Sequence, residues 1–147
     1  MMARFRGRGN KATELSLLTI LRERSIRGWH RHVRIRLKFD LSLKGKSRLS
    51  VKEHGRCPVC CRPDFVFALE KVVIFVDGCF WHRCPRHHRC PVTNKSYWKE
   101  KIARNVERDR LVRVALRRSG WRVLQIWEHE LPFGDKVITK IERFLRS

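Results

Sequence analysis

The chain has 147 residues, a length that fits one domain with one hydrophobic core. Its 35 Lys and Arg against 14 Asp and Glu give a formal net charge of +21, which favours a polyanionic partner, nucleic acid before an acidic membrane surface. No apolar run approaches the roughly 20 residues of a membrane span, and the basic N-terminus lacks the apolar segment of a secretory signal, so a cytoplasmic protein without membrane contact is expected.

The first part of the chain predicts a helix, a long strand and an insertion. A basic arm, residues 1–10, precedes an amphipathic helix from residue 11 to about residue 25. Apolar and basic residues then alternate over 29–41, which predicts a strand with one face in the core. The Lys-, Ser- and Gly-rich stretch 42–62 follows as a basic, cysteine-containing insertion, either a loop or a β-excursion.

Two short strands are predicted on either side of a tight turn. The apolar stretches 65–69 and 72–76 are separated only by residues 70–71, so they are expected to form an antiparallel hairpin. The second stretch suits a strand covered on both faces, although so short a run also fits a buried helix. Asp64 begins one strand and Asp77 follows the other, so both carboxylates are expected at the same end of the sheet.

The remaining elements are a long helix over 95–119, a strand over 121–127 and a closing helix over 136–145. Asn105 and Asp109 lie one turn apart near the apolar stripe of the long helix, where they can hydrogen-bond toward the sheet. The order α-β-(loop)-β-β-α-β-α indicates a single α/β domain, a central mixed β-sheet flanked by helices.

A dense group of metal-ligand side chains follows the second hairpin strand. The candidates are Cys79, Cys84 (with Cys90 as its competitor), His87 or His88, and His129. Zinc takes four Cys or His ligands in a tetrahedron, and here one loop supplies three of them and the residue after the last strand the fourth. The alternative is a set of reduced cysteines and surface histidines that hold no metal.

A second cysteine group lies in the insertion. Cys57, Cys60 and Cys61 contain one C-x-x-C pair, which can be half of a zinc site, a redox pair or neither, and a fourth ligand is missing nearby. In a reducing compartment, cysteines are metal ligands more often than disulfides.

The acids at the sheet end have two interpretations. Asp64 and Asp77 can together hold Mg²⁺, because hard cations take carboxylate and carbonyl oxygens, or they can be a turn residue and a strand terminator. The polyanionic partner favours the first interpretation, and His82 then serves as general acid or base. Glu14, in the first turn of the first helix, is explained by the helix dipole alone.

Several motifs together resemble the very short patch repair endonucleases, the DNA mismatch nickases of bacteria. They are G-C-F-W-H after the apolar strand, P-D-F-V-F before it, Y-W-K-E-K-I-A-R-N-V-E-R-D after it, G-W-R-V-L-Q-I-W-E-H-E-L near the end, and R-G-R-G-N-K-A-T-E-L at the start. The resemblance covers most of the chain, and about residues 36–61 are expected to lack a counterpart.

The resemblance implies a restriction-endonuclease-like fold and Mg²⁺-dependent cleavage of one DNA strand beside a T:G mismatch. It assigns Asp64 as the magnesium-binding aspartate, Val76 as a second magnesium contact through its backbone carbonyl, and His82 as the catalytic histidine. It also places Glu14 in the active site, beyond its role at the helix dipole.

The same resemblance implies the DNA-intercalating and zinc-binding residues. Phe80, Trp81 and Trp98 correspond to the family's intercalating aromatics. Cys79 corresponds to a zinc cysteine, whereas the rest of this loop is spaced differently from the family pattern. Asp77 stands where some members have a histidine, so it is either a further metal ligand or a tuning charge.

The function expected from the sequence is therefore a zinc-stabilised, Mg²⁺-dependent endonuclease of very short patch mismatch repair. A monomer is expected in the bacterial cytoplasm, on the nucleoid and in contact with mismatch-repair proteins. The alternatives are a nuclease of the same fold with another specificity, in phage defence or on a mobile element, and a zinc-bearing DNA-binding module without catalysis.

Overall fold

The computed structural model describes residues 11–37, 60–87 and 89–147, so the basic arm and most of the insertion, including Cys57, lie outside the described residues. The elements in chain order are α1 (Lys11–Glu23), β1 (Trp29–Arg31), β2 (Ile35–Arg36), β3 (Cys60–Cys61), β4 (Phe65–Phe67), β5 (Val72–Asp77), α2 (Lys95–Arg118), β6 (Arg122–Trp127), a 3₁₀ turn (Glu128–Glu130) and α3 (Gly134–Arg146).

The larger sheet has four strands in the order β1-β4-β5-β6. β4 is antiparallel to both β1 and β5, whereas β5 and β6 run parallel and α2 connects them along the chain. A parallel pair needs such a long crossover, which explains why a 24-residue helix separates the two strands. The predicted mixed sheet flanked by helices is confirmed.

Both faces of β5 are covered, because successive side chains of a strand point to opposite faces. Val72 and Ile74 belong to the core that α1 and α3 form on one face of the sheet. Val73 and Phe75 lie in a second core on the other face, which includes Leu116 of α2. β5 therefore runs between two packed layers. Its last residue, Asp77, is buried at 4% exposure.

The long strand predicted over 29–41 is wrong as a single element. His32 has a left-handed backbone conformation with φ 57°, which ends β1 after Arg31. The chain resumes as β2, which pairs with β3 in a separate two-stranded sheet. The alternation of residues was read correctly at Ile35 and Leu37, which are buried, but periodicity cannot show that a strand changes its partner.

The hairpin is confirmed, but its turn is longer than predicted. β4 ends at Phe67, and residues 68–71 form the turn, with Leu69 92% exposed and Lys71 at φ 55°. The apolar residue Leu69 in the turn is the reason that the predicted strand is two residues too long.

Among the residues that the structure describes, no helix is long and apolar enough to cross a membrane.

Candidate active site

Two carboxylates lie where β5 ends. Asp64 directly precedes β4, and its Oδ2 accepts a 2.7 Å hydrogen bond from the backbone N–H of Val76. Asp77 is the last residue of β5 and is only 4% exposed. The antiparallel register, in which Phe65 pairs with Ile74, brings both acids to the same end of the sheet, as the sequence predicts.

The environment of Asp64 favours a nearby cation. Burial raises the pKa of Asp64 to about 6 against the lowering effect of the Val76 N–H, and the negative charges of Glu14 and Asp77 add to the rise. A divalent cation beside this carboxyl would stabilise its charged form. The chemistry of the site therefore fits a hard metal ion at Asp64.

His82 lies within reach of two carboxylates. Its Nδ1 is 2.5 Å from Oδ2 of Asp109 and 3.7 Å from Oδ1 of Asp77. Burial opposes the imidazolium, but the hydrogen bond to Asp109 and the charge of Asp77 outweigh it, so the pKa of His82 lies above its usual value. Because Nδ1 faces the acids, Nε2 on the opposite edge of the ring is the nitrogen left for a substrate.

Asp109 was not assigned to the site from the sequence, although its place on α2 near the apolar stripe was noted. The helix turns its side chain toward the sheet, where it meets a histidine 27 residues earlier in the chain. The sequence signal that could have identified Asp109 is its position as an acidic residue beside the apolar stripe of α2.

Arg113 and Gln125 were missed altogether. Both donate to Oδ2 of Asp77, Arg113 at 2.6 Å from α2 and Gln125 at 2.5 Å from β6. Burial raises the pKa of Asp77, although the positive charges of His82 and Arg113 act in the opposite direction. A basic residue on a chain with 35 Lys and Arg carries no distinctive signal, so only the packing identifies this one.

Glu14 is buried at 8% exposure, in the first turn of α1. Its Oε1 accepts from Nη2 of Arg31 at 2.5 Å and lies 3.1 Å from Nε2 of His32. Its charge acts on Asp64, so it lies near the predicted site. The contacts in this structure join α1 to β1, which gives Glu14 a positioning role here.

The Cys/His ligands gather as predicted. The side-chain ligand atoms of Cys79, Cys84, His87 and His129 all lie within 4.8 Å of one another. Sγ of Cys84 is 3.5 Å from Nδ1 of His129 and 3.8 Å from Nδ1 of His87. Cys90 lies outside this group, with its Sγ 4.0 Å from the carbonyl of Lys95.

These distances fit the edges of a zinc tetrahedron. Ligand atoms about 2.0–2.3 Å from a zinc ion stand about 3.5 Å apart for a sulfur–nitrogen pair. Sγ of Cys79 is 3.3 Å from Nδ1 of His129, within the same range. The group can therefore hold a metal ion, with Cys84 rather than Cys90 as the second cysteine; His88 lies outside the described residues.

The loop between β5 and this group is also tied to the end of β6. Backbone N–H groups of His82 and Cys84 donate to the carbonyls of Gly78 and Cys79, which curls the loop. Oε2 of Glu128 accepts from the backbone N–H of Cys79 at 3.2 Å. The ends of the two parallel strands thus hold the segment that carries His82.

Phe80, Trp81 and Trp98, the aromatics that the resemblance singles out, form one cluster in the structure. Their ring centroids are 5.0–5.7 Å apart, in edge-to-face arrangements. Tyr97 extends the cluster at 53% exposure, and the ammonium of Lys101 lies 5.6 Å from three of the rings. A partly exposed aromatic cluster with a cation suits stacking on nucleic-acid bases.

Residues 48–91 match the family model described as DNA mismatch endonuclease Vsr. The predicted resemblance to the Vsr endonucleases is confirmed. The Vsr-matched segment begins inside the stretch 36–61, for which no counterpart was expected. It includes Asp64, Asp77 and His82, whereas Glu14 and Asp109 lie outside it.

Individual relatives agree with this resemblance. The type II nicking enzyme V.NaeI of Lentzea aerocolonigenes is 59% identical over 69 residues, 47% of this chain and 42% of that protein. The DNA mismatch endonuclease Vsr of Escherichia coli (strain K12) is 47% identical over 81 residues, 52% of this chain and 49% of that protein. The type II nicking enzyme V.NmeAIP of Neisseria meningitidis is 42% identical over 88 residues, 58% of this chain and 62% of that protein. The chain spans about half the length of these curated relatives.

Proposed function

We propose that this protein is a Mg²⁺-dependent DNA endonuclease that nicks one strand of a duplex beside a T:G mismatch. The observation that carries the proposal is that Asp64 lies at the end of β5 within the electrostatic influence of His82, which is itself bonded to Asp109. Its relatives are named as a mismatch endonuclease and as nicking enzymes, which favours cleavage of one strand.

Asp64 and the backbone carbonyl of Val76 would hold the magnesium ion. The N–H and carbonyl of one strand residue point to the same side, so the carbonyl of Val76 faces the side from which Asp64 binds its N–H. When bound there, Mg²⁺ would neutralise charge on the phosphate that is cleaved. The raised pKa of Asp64 supports this assignment, because burial disfavours the charged carboxylate and a cation would stabilise it.

His82 would transfer the proton during cleavage. Asp109 fixes its ring through Nδ1, which directs Nε2 toward the attacking water or the leaving oxygen. The raised pKa keeps the imidazole protonated to a higher pH than usual, which suits donation to the leaving oxygen. Glu14 would act on Asp64 through its negative charge and would hold α1 against β1 through Arg31.

The aromatic cluster Phe80, Trp81 and Trp98 would open the duplex at the lesion. Aromatic wedges between base pairs unstack them at a cost of a few kcal/mol, which is smallest where the pair is already mismatched. Phe80 and Trp81 directly precede His82 in the sequence, so the opened step would lie next to the catalytic group. Surface Lys and Arg would hold phosphates without reading sequence.

A zinc ion would complete the loop that carries the cluster. Cys79, Cys84, His87 and His129 supply the two sulfur and two nitrogen ligands that structural zinc prefers. Bound zinc closes the loop onto the end of β6. A nicking enzyme of this kind would work as a monomer on chromosomal DNA in the bacterial cytoplasm, together with mismatch-repair proteins.

A strand-resolved cleavage assay tests the proposal. Wild type, Asp64→Ala and the exposed-carboxylate control Glu142→Gln are incubated with Mg²⁺ and matched or T:G-mismatched duplexes, each strand carrying its own label. We expect nicking of one strand at the mismatch by wild type and Glu142→Gln, and DNA binding without nicking by Asp64→Ala.

Three other outcomes would favour a different function or a structural role for Asp64. Equal cutting of matched duplex would retain a nuclease and replace the mismatch by another specificity. Tight, salt-sensitive binding without cleavage by the wild type would indicate a DNA-binding module. An equal loss of binding and cleavage in Asp64→Ala would make Asp64 a structural residue.

A further inference from the structure

Asp77 joins three elements next to His82, through an ion pair with Arg113 and a hydrogen bond from Gln125. Asp77 at the end of β5 binds Arg113 of α2 at 2.6 Å and Gln125 of β6 at 2.5 Å. Buried ion pairs contribute little net stability because desolvation opposes their attraction, so their presence calls for another explanation. The contacts of Asp77 with His82 supply one.

The two oxygens of Asp77 have different partners. Arg113 and Gln125 both donate to Oδ2, whereas Oδ1 faces Nδ1 of His82 at 3.7 Å. The same nitrogen is 2.5 Å from Asp109. Two carboxylates thus converge on one edge of the imidazole. Arg113 and Gln125 fix the orientation of the more distant one, Asp77.

The contacts of Asp77 do not suit a ligand of a divalent cation. A guanidinium bound to the carboxylate repels a second cation at the same group. Asp64, in contrast, has a backbone N–H as its hydrogen-bond donor.

We propose that Asp77, clamped by Arg113 and Gln125, is a positioning residue for His82 and is not a magnesium ligand. Arg113 balances the charge of Asp77, so the carboxylate can face His82 without adding uncompensated charge beside Asp64 and Asp109. The clamp orients Oδ1 toward Nδ1 and thereby holds Nε2 toward the substrate. This inference rests on the proposed nicking function.

The test compares Asp77→Asn and Gln125→Met with Asp64→Asn and with Glu107→Gln, a matched carboxylate-to-amide change on the surface of α2, where Glu107 pairs with Arg110. Gln125→Met removes one donor while keeping the volume, so it keeps the test valid if Asp77→Asn fails to fold. We expect a kcat about 10- to 100-fold lower for Asp77→Asn, and a smaller fall in the same direction for Gln125→Met, with KM for DNA unchanged. Glu107→Gln should match the wild type.

Magnesium binding is measured separately by calorimetry, without DNA. Asp77→Asn and Gln125→Met should keep the wild-type affinity, whereas Asp64→Asn should lose about tenfold or more. A loss of Mg²⁺ affinity in Asp77→Asn equal to that in Asp64→Asn would overturn the proposal, and so would an unchanged kcat in Asp77→Asn and Gln125→Met.

A spectroscopic readout is independent of cleavage. The proton held between His82 and Asp109 should give a downfield NMR signal in wild type and Glu107→Gln, and this signal should broaden in Gln125→Met and Asp77→Asn as the ring loses its fixed position. An unchanged signal in both variants would overturn the positioning role. A wild type that shows the signal without nicking DNA would instead refute the proposed function and leave the clamp intact.

Discussion

Two neighbouring regions, the acid–histidine pocket and the Cys/His loop, share the segment from Asp77 to Cys84 and are held together in different ways. In the pocket, Asp77 pairs with Arg113, and His82 bonds to Asp109, so charged side chains attract one another. In the loop, the thiol of Cys84 and the imidazole of His129 make a weaker contact at 3.5 Å, and a cation between them would strengthen it. We therefore expect the pocket to assemble without a metal, whereas the loop and its aromatic cluster should gain stability from the proposed metal ion.

The largest expected effect is the loss of Cys84, which is 1% exposed and which we propose as a zinc ligand. Cys84→Ala should lose the bound zinc, lower the melting temperature by about 10 °C or more, and abolish nicking, because zinc binding contributes directly to folding. Metal analysis and calorimetry measure this, with Cys90→Ala as the matched control that keeps its zinc. If Cys84→Ala retained its zinc, Cys84 would not be a ligand, and the proposed difference in metal dependence between the loop and the pocket would be wrong.

Next in size is the loss of the His82 imidazole, which we propose as the catalytic group. His82→Ala should lower kcat by about 10²- to 10⁴-fold while the melting temperature and zinc content stay constant, because the ring belongs to the pocket. His30→Ala, at an exposed position of β1, is the control. A kinetic loss of the same size in His30→Ala, or none in His82→Ala, would contradict the assignment.

A smaller effect is expected for the aromatic cluster. Trp81→Ala should weaken binding to mismatched duplex about tenfold, in line with about 1–3 kcal/mol for each stacked base, and change binding to matched duplex less. Phe133→Ala, an aromatic 58% exposed before α3, is the control. Chelation of zinc should reproduce the Trp81→Ala result. If it leaves mismatch binding intact, the loop does not need the metal.

The smallest effect concerns the pocket without any metal. The pKa of Asp64 is raised from 3.8 to about 6, so the folded protein binds more protons than the unfolded chain between these values. Its contribution to stability therefore falls as pH rises through this window. Asp64→Asn should gain about 1–3 kcal/mol relative to wild type between pH 4 and pH 7.

Urea unfolding of both proteins at several pH values, without divalent cations, measures this difference. Added Mg²⁺ should reduce it, because the cation favours the charged carboxylate. A difference that does not vary with pH would mean that Asp64 titrates normally.

Much of the fold followed from local patterns. The apolar stretch of β5, the Gly120 stop after α2 and the alternation in β6 gave elements close to their observed bounds. The errors fell where local pattern does not decide, at His32, where the chain leaves one sheet for another, and at Leu69, an apolar residue in a turn. Neither change of direction is specified by periodicity.

The sequence by itself determined the chemical inventory of this protein: the positive charge, the Cys/His spacing, and the placement of Asp64 and Asp77 at one sheet end through a hairpin. Residues close in the chain are close in space whatever the rest of the fold does. Only the tertiary structure decided that Asp109, Arg113 and Gln125 complete the pocket. Gln125 lies 48 residues from Asp77, and its contact depends on the parallel register of β5 and β6. The contacts of Asp109 and Arg113 depend on the rotation of α2 about its axis. That register and rotation are set by packing across both faces of the sheet, to which residues far apart in the sequence contribute together.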